Sequence, residues 1–531
     1  MSAFRGALAA AVEGRRATGR RVVWAPYDQL TDEVGPLAGE APERLTLVMI
    51  ESPAKAARRP YHRQKLALVL ANGRHFALEQ ARRGVLVRHV VSPDGYGPAL
   101  ERVSAELGPI AAMEPAEREL REETAPLVAE GRIRLEPHAG WLSTRAHFEA
   151  ACPQAPFRMD AFYRHVRKAT GVLVDRGKPV GGKWSFDAEN REAWRGDPPA
   201  PRPPGFEADA VTREVVDLVE SRYERHPGRA DPTTLPATKA DAEALWSWAR
   251  RECLPHFGPY EDAMAAAAPG LFHTRVAPLV NLHRLLPARV VSDALALDLP
   301  LASKEGFVRQ ILGWREYVRH VHVATDGLRD LPGGPAPRGP RGDAAPSALG
   351  ADGRLPPAYW GRPSGLRCLD VVVDDVWREG WSHHITRLMV LSNLATLLDV
   401  SPRELTDWFW VAYVDAYDWV VEPNVLGMGT YGAGDLMTTK PYVSGAAYID
   451  RMSDYCEGCA FHPRTTCPIT PLYWAFLARH AEQLGENHRL AVPLAALRKR
   501  PSAKREEDAR TFTRVRDALD RGERLTPEVA R

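Results

Sequence analysis

The feature that most constrains this sequence is a group of four cysteines within residues 360–468. Cys456 and Cys459 are separated by two residues, which places two thiols on one tight turn, and Cys467 follows within reach. Cys368 must be brought in by the fold. Two thiolates from such a turn can bind one metal centre, and Cys467-Pro468 is typical of the last ligand in ferredoxin-type runs. A four-thiolate iron–sulfur cluster is the leading interpretation, while a four-cysteine structural zinc site and unligated thiols or a redox pair stay open.

The composition narrows the class of protein. With 531 residues, the chain is long enough for more than one domain and a large core. A formal net charge of +2 does not by itself indicate a nucleic-acid binder, so contact with DNA requires a local basic patch. Six cysteines in this length fit a reducing compartment better than a secreted disulfide scaffold. Because no apolar run approaches the ~18 residues of a membrane span and no signal peptide is visible, we expect a soluble, cytoplasmic protein.

The first part of the chain predicts an α/β domain over residues 20–150. Runs of β-branched and apolar residues predict buried strands over residues 21–26, 45–51, 85–91 and 133–136. A helical pattern spans residues 61–83. Strand, helix and strand in this order predict a doubly wound parallel sheet, and no GxGxxG dinucleotide fingerprint follows the first strand. Ligands of such sheets bind at the carboxyl ends of strands, which here carry Asp28 and Glu51.

The remainder of the chain is predicted to be mainly α-helical. Residues 151–210 form an interdomain connector with a helix over 159–170 and a proline-rich end that excludes regular helix. A second domain covers residues 211–497. Within it, apolar residues recur at helical spacing over residues 239–252, 306–323, 370–398 and 402–417. Residues 498–531 are predicted to be a charged C-terminal tail on a solvated helix.

Two local patterns in the helical part carry narrower predictions. Ser401 and Glu404 have the spacing of a capping box at a helix start. Residues 327–357 are rich in glycine, proline and aspartate, and this composition predicts a disordered loop.

Several side chains in the helical part admit both an ordinary and a functional interpretation. Gln310, Trp314 and Tyr317 share one face of a predicted helix, which is most simply a solvated amphipathic surface. His383 and His384 are adjacent in a predicted helix, so their rings point about 100° apart and cannot both ligate one metal. One is expected to face a cavity while the other is packed. The ordinary interpretation is a buried histidine with satisfied hydrogen bonds, and the functional one is a proton donor to a bound substrate.

Motifs spread over most of the chain resemble one known family. The string EGFVRQILGWREY at residues 305–317 resembles the flavin-side helix of photolyases and cryptochromes. The surroundings of Cys368 and further strings resemble one branch of this group, the FeS bacterial cryptochromes and prokaryotic (6-4) photolyases. This branch carries an iron–sulfur cluster. These strings are GGKWSFDAENR (181–191), FGPYEDAM (257–264), SHHITRLM (382–389), YVDAYDW (413–419), PNVLGM (423–428), KPY (440–442) and RMSDYC (451–456).

The resemblance implies a fold, cofactors and an activity. The fold is an α/β antenna domain followed by an α-helical FAD-binding domain, and the activity is light-driven repair of (6-4) pyrimidine–pyrimidone photoproducts in DNA. The implied groups are FAD, a 6,7-dimethyl-8-ribityllumazine antenna and a [4Fe-4S] cluster on Cys368, Cys456, Cys459 and Cys467. Some relatives are light-responsive regulators, so a blue-light photoreceptor without repair activity is the alternative. A zinc-stabilised helical binding protein without flavin is a third interpretation. We expect UV-damaged DNA as the partner and a monomeric protein.

The resemblance also assigns residues. The FAD pocket draws on His273, Thr274, Arg275, Asn281, Glu305, Gln310, Arg315 and Asp415. The lesion pocket draws on Asp262, His383, His384 and Tyr442, with His384 as the proton donor and His383 as its orienting neighbour. Trp360 and Trp408 are the expected electron relay, and Asp28, Glu51 and Lys65 belong to the antenna site.

Three positions depart from the family pattern. Tyr27 stands where the family has glycine after the first strand, and a tyrosine there crowds the antenna pocket. Lys55 stands where an acidic residue is expected near the lumazine. Near the flavin, Glu422 is the candidate for an acid that many relatives place beside the flavin N5, displaced by one position.

Overall fold

The computed structural model describes residues 2–530 of the chain. Its first part is built on a five-stranded parallel sheet with the strand order β3-β2-β1-β4-β5. The strands are β1 (Arg21–Trp24), β2 (Leu45–Glu51), β3 (Leu86–Val91), β4 (Ile110–Met113) and β5 (Ile133–Glu136). Because the order runs outwards from β1 in both directions, the predicted doubly wound parallel sheet is confirmed.

Helices cover both faces of this sheet. Val23 and Leu47 face the main core, whereas Val22 and Val48 face a second cluster that includes Tyr96. This division follows from the period of two in a β-strand, which sends neighbouring side chains to opposite faces. The helices of this part are α1 (Ala3–Val12), α2 (Pro53–Ala57), α3 (Arg63–Arg83), α4 (Tyr96–Leu107) and α5 (Arg118–Ala129).

A connector joins the sheet to the helical part. It contains α6 (Arg145–Ala151), the predicted helix α7 (Met159–Thr170), and a hairpin of β6 (Val174–Asp175) and β7 (Lys178–Pro179). The guanidinium of Arg167 is fully buried and donates to the backbone oxygens of Val172, Trp184 and Leu173 at 3.1, 2.8 and 2.7 Å. One side chain therefore holds the end of α7 against the segment that follows the hairpin.

The helical part supplies most of the core. Its helices are α8 (Ala210–Arg222), α9 (Lys239–Trp248), α10 (Leu254–Phe257), α11 (Ala277–Asn281), α12 (Pro287–Ala296), α13 (Leu301–Val308), α14 (Glu316–Ala324), α15 (Arg367–Glu379), α16 (Asn393–Leu397), α17 (Pro402–Ala412), α18 (Asp418–Val421), α19 (Ala446–Met452), α20 (Ile469–Arg479), α21 (Ala491–Lys499), α22 (Ser502–Asp520) and α23 (Pro527–Ala530). A second small hairpin pairs β8 (Asp330–Leu331) with β9 (Gly334–Pro335). Across residues 2–530, no helix combines the length and the apolar character needed to cross a bilayer.

The segment 327–357 is ordered, so the predicted disordered loop is wrong. It forms the β8–β9 hairpin, and the carboxylate of Asp343 accepts hydrogen bonds from Arg59 at 3.4 Å and Arg329 at 3.3 Å. The backbone oxygen of the fully buried Ala344 accepts from Arg403 at 3.3 Å. A composition rich in glycine, proline and aspartate predicted disorder, but the segment is held by ion pairs and backbone hydrogen bonds that composition does not reveal.

Two further predictions about helix ends and surfaces are wrong. Ser401 makes no side-chain cap bond, and Glu404 accepts instead from the backbone N–H of Leu355 at 2.6 Å. The C-terminal tail is not simply solvated, because α22 packs on α20 and buries Phe512. The guanidinium carbon of Arg479 on α20 lies 3.5 Å from the centre of that ring.

Candidate active site

A cavity of about 720 Å³ lies in the helical part. This volume is within the range of roughly 300–1,000 Å³ that ligand sites occupy. The predicted residues that line it are His273, Thr274, Arg275, Asn281, Gln310, Arg315, Asp415, Asp262, His383, His384 and Tyr442. Residues predicted for a cofactor and residues predicted for a DNA lesion therefore share one cavity.

Much of the cavity wall comes from helices that contain π-type turns. These segments are Arg309–Arg315 between α13 and α14, Thr386–Ser392 before α16, and Glu422–Gly429 after α18. A π turn inserts an extra residue into a helix and re-aims the side chains beside it, and such turns are frequent at functional sites. Gln310, Arg387 and Asn424 line the cavity from these turns.

Glu305 is the one residue predicted for the FAD pocket that lies away from this cavity. It is fully buried, accepts from the backbone N–H of Phe186 at 2.9 Å and does not line the cavity. Glu261 reaches the wall instead and accepts a hydrogen bond from the amide of Gln310. Glu261 is not among the residues predicted from the sequence, although it directly precedes the predicted Asp262.

The cavity wall carries more basic than acidic side chains. The basic ones are Arg191, Arg275, Arg309, Arg315, Arg387 and Lys440, and the acidic ones are Asp187, Glu261, Asp262 and Asp415. Arg387 makes two parallel bonds to Asp415, at 3.0 and 2.9 Å. Arg315 donates to Oδ1 of Asn281 at 3.3 Å, and burial lowers the pKa of Arg315 to about 10, so it remains charged at neutral pH. This wall favours a ligand with an anionic group.

Two stacked histidines leave polar atoms free toward the cavity. The rings of His273 and His383 are 4.3 Å apart at an angle of 17°. Both nitrogens of His383 and Nε2 of His273 are buried without a hydrogen-bond partner within the described chain. Burial lowers the pKa of His273 to about 3, and burial with neighbouring His273 lowers the pKa of His383. Neutral imidazoles with free nitrogens can accept or donate hydrogen bonds to a ligand.

His384 and Asp262 face each other across the cavity. His384 Nε2 lies 4.0 Å from Oδ1 of Asp262, and the hydroxyl of Tyr448 donates to Oδ2 at 3.3 Å. Burial and the nearby carboxylates of Glu261 and Asp187 raise the pKa of Asp262 to about 7. Burial in the cavity wall lowers the pKa of His384 to about 4, with the nearby guanidinium groups adding to this effect.

The histidine pair does not sit inside a helix as predicted. His383 precedes the helical segment and His384 begins it. Both rings line the cavity, which contradicts the expectation that only one of them does. Their side chains can diverge from the helix geometry because the first of them lies outside the helix.

Glu422 does not reach the cavity, so its predicted place beside a flavin is wrong. Its carboxylate is fully buried and bonded to Nε2 of His322 at 3.0 Å and to Arg403 at 3.1 Å. Asn424 lines the cavity in this region, and its amide donates to the backbone oxygen of Val420 at 2.9 Å.

A row of aromatic rings runs from the surface to the cavity wall. Trp360, with 49% of its surface exposed, stacks on Trp377 with ring centres 5.5 Å apart. Trp377 meets Trp408 edge to face at 5.9 Å, and Trp408 meets Phe409 at 5.2 Å. Phe409 lines the cavity. Trp360 and Trp408 were predicted, whereas Trp377, the ring that touches both, was missed. The indole nitrogens of Trp377 and Trp408 both donate to the backbone oxygen of Tyr359 at 2.9 Å, which fixes their spacing.

Comparison with known proteins decides the family. Residues 23–235 match the family model of deoxyribodipyrimidine photo-lyase-related proteins. A protein of Agrobacterium fabrum named (6-4) photolyase is 34% identical over 512 residues, which make up 92% of this chain and 97% of the relative. The chain belongs to this photolyase-related family. The crystal structure of a bacterial class III photolyase from Agrobacterium tumefaciens covers 92% of this chain and 100% of its own, with a TM-score of 0.53 at 14% identity. That match shows the photolyase fold.

In this photolyase-related chain, the four predicted metal ligands lie in three separate segments. Cys368 lies in the first turn of α15, Cys456 and Cys459 lie on a turn after α19, and Cys467 precedes α20. Gly458 has a φ of 73°, a conformation that glycine adopts without strain, and this closes the turn between the two central cysteines. All four are free thiols. Burial and the neighbouring thiols of Cys467, Cys456 and Cys459 raise the pKa of Cys368.

The spacing of the sulfur atoms bears on the kind of metal site. Within residues 2–530, the His273, His383 and His384 group is the one set of three or more candidate ligands whose atoms all lie within 4.8 Å of one another. No three of the four cysteine sulfur atoms therefore meet this limit within the same residues. A single Zn²⁺ with four thiolates at about 2.3 Å needs sulfur atoms about 3.8 Å apart.

The antenna residues that the family implies lie around a second, small cavity of about 90 Å³. Glu51 and Lys65 line it, but Asp28 does not. Glu51 accepts from Arg74 at 2.7 and 3.0 Å, and hydrogen bonds from His89 and Arg74 lower the pKa of Glu51 to about 2 against the effect of burial. The ammonium of Lys65 donates to the backbone oxygen of Trp410 at 2.9 Å.

Proposed function

We propose that this protein is a (6-4) photolyase, which uses light to repair pyrimidine–pyrimidone (6-4) photoproducts in DNA. The observation that carries the proposal is the shared cavity of about 720 Å³, where the flavin-side and lesion-side residues of the family pattern meet. The relative from Agrobacterium fabrum that bears the name (6-4) photolyase supports the same activity.

The cavity fits FAD on three counts. Its volume suits a dinucleotide-sized ligand, its basic residues favour a diphosphate, and its wall contains buried polar atoms without partners, among them those of His383 and Ser444. Arg275, Arg315 and Lys440 are the candidates to hold the diphosphate, and Asn281 and Asp415 offer polar atoms to the ring system. When bound, reduced FAD supplies the electron that light transfers to the lesion.

Asp262 and His384 are placed to supply a proton to the bound lesion. At pH 7, His384 is neutral and Asp262 is about half protonated, because the pKa of His384 is lowered to about 4 and that of Asp262 is raised to about 7. Asp262 therefore holds the proton, and the imidazole of His384, 4.0 Å away, is placed to pass it to a lesion oxygen. The stacked His273 and His383 orient that imidazole, since the ring of His273 contacts both neighbours.

The remaining wall holds the lesion and excludes water. Tyr442, with a pKa that burial raises, keeps its hydroxyl proton at neutral pH and can donate it to a flipped base. Arg191 lies 3.7 Å from Asp262 and is half exposed, which suits contact with a phosphate of the DNA backbone.

We further propose that the four cysteines hold a [4Fe-4S] cluster. Four free thiols from three elements suit a four-thiolate centre, and within residues 2–530 no three of their sulfur atoms all lie within 4.8 Å of one another, which favours a polynuclear cluster over a single Zn²⁺. The centre joins α15 to the segment between α19 and α20, so it also ties distant parts of the chain together. Trp360, Trp377 and Trp408 are proposed to carry electrons from the surface to the cavity.

The activity is tested by illuminating the reduced, FAD-containing protein with an oligonucleotide that carries one (6-4) photoproduct. Repair predicts restored pyrimidines in the light and none in a dark control. A flavin-binding protein that leaves the lesion unchanged in the light would instead be a photoreceptor.

A further inference from the structure

We infer that this protein does not bind the lumazine antenna that its family implies, and that Tyr27 is the residue that closes the site. The inference concerns the N-terminal cavity alone and does not depend on the repair activity.

The cavity is too small for the antenna. At about 90 Å³ it has one-eighth of the room of the cavity in the helical part, about 720 Å³ by the same measure. Sites for small organic ligands begin at roughly 300 Å³. A bicyclic lumazine with a five-carbon ribityl chain does not fit this space unless side chains leave it.

Tyr27 fills the space at the carboxyl end of β1. Its ring lies 6.3 Å from that of Tyr417 at an angle of 22°, and 6.0 Å from that of Tyr96. Its hydroxyl donates to the carboxylate of Glu117. The side chain therefore bridges from the sheet to Tyr417 in the helical part, across the opening where a ligand of a doubly wound sheet would lie.

A buried ionic network holds Tyr27 in this position. Lys55 donates to Glu117 and to Glu119, both at 2.8 Å, and Glu117 is almost fully buried. Glu119 also accepts from Arg59 at 2.7 Å. Lys55 is the residue that stands where the family has an acidic one. Its ammonium group neutralises the carboxylate of Glu117, which accepts the hydrogen bond from the Tyr27 hydroxyl. Withdrawing Tyr27 would leave this network without one of its partners.

The polar groups that line the cavity are already engaged. Glu51 is bonded to Arg74, and Lys65 is bonded to the backbone oxygen of Trp410. Two lining atoms have no hydrogen-bond partner in the described chain, the hydroxyl of Tyr417 and Nε2 of His89. Nε2 of His89 lies 3.0 Å from the carboxylate of Glu51, and a cavity of this volume can supply the Tyr417 hydroxyl with water. In contrast to the large cavity, this one offers few free hydrogen-bonding groups that could bind a ring with several carbonyl groups.

The test is a titration of 6,7-dimethyl-8-ribityllumazine into the purified, FAD-containing protein, followed by the fluorescence polarisation of the lumazine. The wild-type protein is expected to show no saturable binding at concentrations up to about 100 µM. Tyr27→Gly is expected to bind one equivalent at least about 100-fold more tightly than the wild type. Tyr27→Phe retains the ring and removes the hydroxyl, and it is expected not to bind, because the volume of the ring closes the site.

Each result decides the inference. Saturable binding by the wild type overturns it, and so does binding by Tyr27→Phe, which would assign the closure to the hydroxyl bond. If Tyr27→Gly keeps the wild-type circular dichroism and flavin spectrum but does not bind, Tyr27 is not the residue that closes the site. If Tyr27→Gly does not fold, Tyr27→Ala takes its place, and the wild-type titration still tests the closed cavity.

Discussion

Nε2 of His384 lies 4.0 Å from Oδ1 of Asp262 inside the large cavity. The order of their pKa values is the reverse of that in water, since the pKa of the carboxyl is raised to about 7 and that of the imidazole is lowered to about 4. The acid of this pair at neutral pH is therefore the carboxyl group. This refines the hypothesis drawn from the sequence, in which His384 alone donates the proton.

Asp262→Asn is expected to slow repair by about 100-fold, because an amide of the same shape has no acidic proton to give. The measurement is the rate of lesion loss under constant light at equal FAD content. Asp435→Asn, the same change at an exposed position, serves as the control and should repair at the wild-type rate. A variant at position 262 that repairs within twofold of the wild type would contradict the role of the carboxyl.

Repair is also expected to depend on pH. As pH rises from 6 to 8, Asp262 loses its proton around pH 7, and the rate should fall across this window. His384 is neutral throughout this range, so it adds no step of its own. The comparison is a pH profile of wild type and Asp262→Asn, and the profile of the variant should be flat. A rate that rises with pH would contradict the assignment.

Arg315→Met is expected to weaken FAD binding by about 10- to 100-fold, because a charge-assisted hydrogen bond to a phosphate or carbonyl contributes about 1.5–3 kcal/mol. Arg319→Met is a matched control. Both guanidinium groups contact the ring of Trp141, at 4.0 and 4.5 Å, but only Arg315 lines the cavity. Dissociation constants follow from flavin fluorescence during titration of the apoprotein. Equal losses in the two variants would point to a structural effect.

Cys368→Ser is expected to lose most of its iron and acid-labile sulfide, since a hydroxyl is a poor substitute for a thiolate ligand. Cys152→Ser makes the same change at a buried thiol whose Sγ lies 3.6 Å from the backbone oxygen of Arg158, far from the four-cysteine group in the sequence. That control should retain full metal content. Stoichiometric zinc without iron in the wild-type protein would favour the structural zinc site instead.

Trp377→Phe is expected to slow photoreduction of the bound flavin by at least about tenfold, because phenylalanine is much harder to oxidise than the indole it replaces. Its ring contacts Trp360 at 5.5 Å and Trp408 at 5.9 Å, so it is the link between the two. Trp474→Phe, whose indole packs on Tyr473, is the control. Transient absorption reports the rate, and an unchanged rate in Trp377→Phe would remove it from the relay.

The fold was largely predictable because its strands carry clear patterns. The runs at β1, β2 and β3 carry two or three β-branched residues each, and these strands and β5 were predicted. β4 was missed because two of its four residues are alanines, which are poor strand formers, although all four residues are buried. The segment 327–357 was judged by composition, while its order comes from ion pairs with residues far away in sequence, such as Arg59.

The site was predictable only through the family motifs. Glu261 lies on a turn and Trp377 lies in α15, and neither stands out in the sequence, because their roles arise from neighbours that the fold brings in. Glu305 matches a motif position and Glu422 lies one position away from one, yet each carboxylate is bonded to protein groups outside the cavity. Motifs thus locate a site but do not show which way each side chain turns.

The most direct test of (6-4) repair is chromatographic analysis of a single (6-4) lesion after illumination with the reduced, flavin-loaded protein. Light is expected to restore the two pyrimidines, darkness is not, and His384→Ala is expected to abolish the light-dependent product. A protein with full flavin content that leaves the lesion intact in the light would contradict this activity.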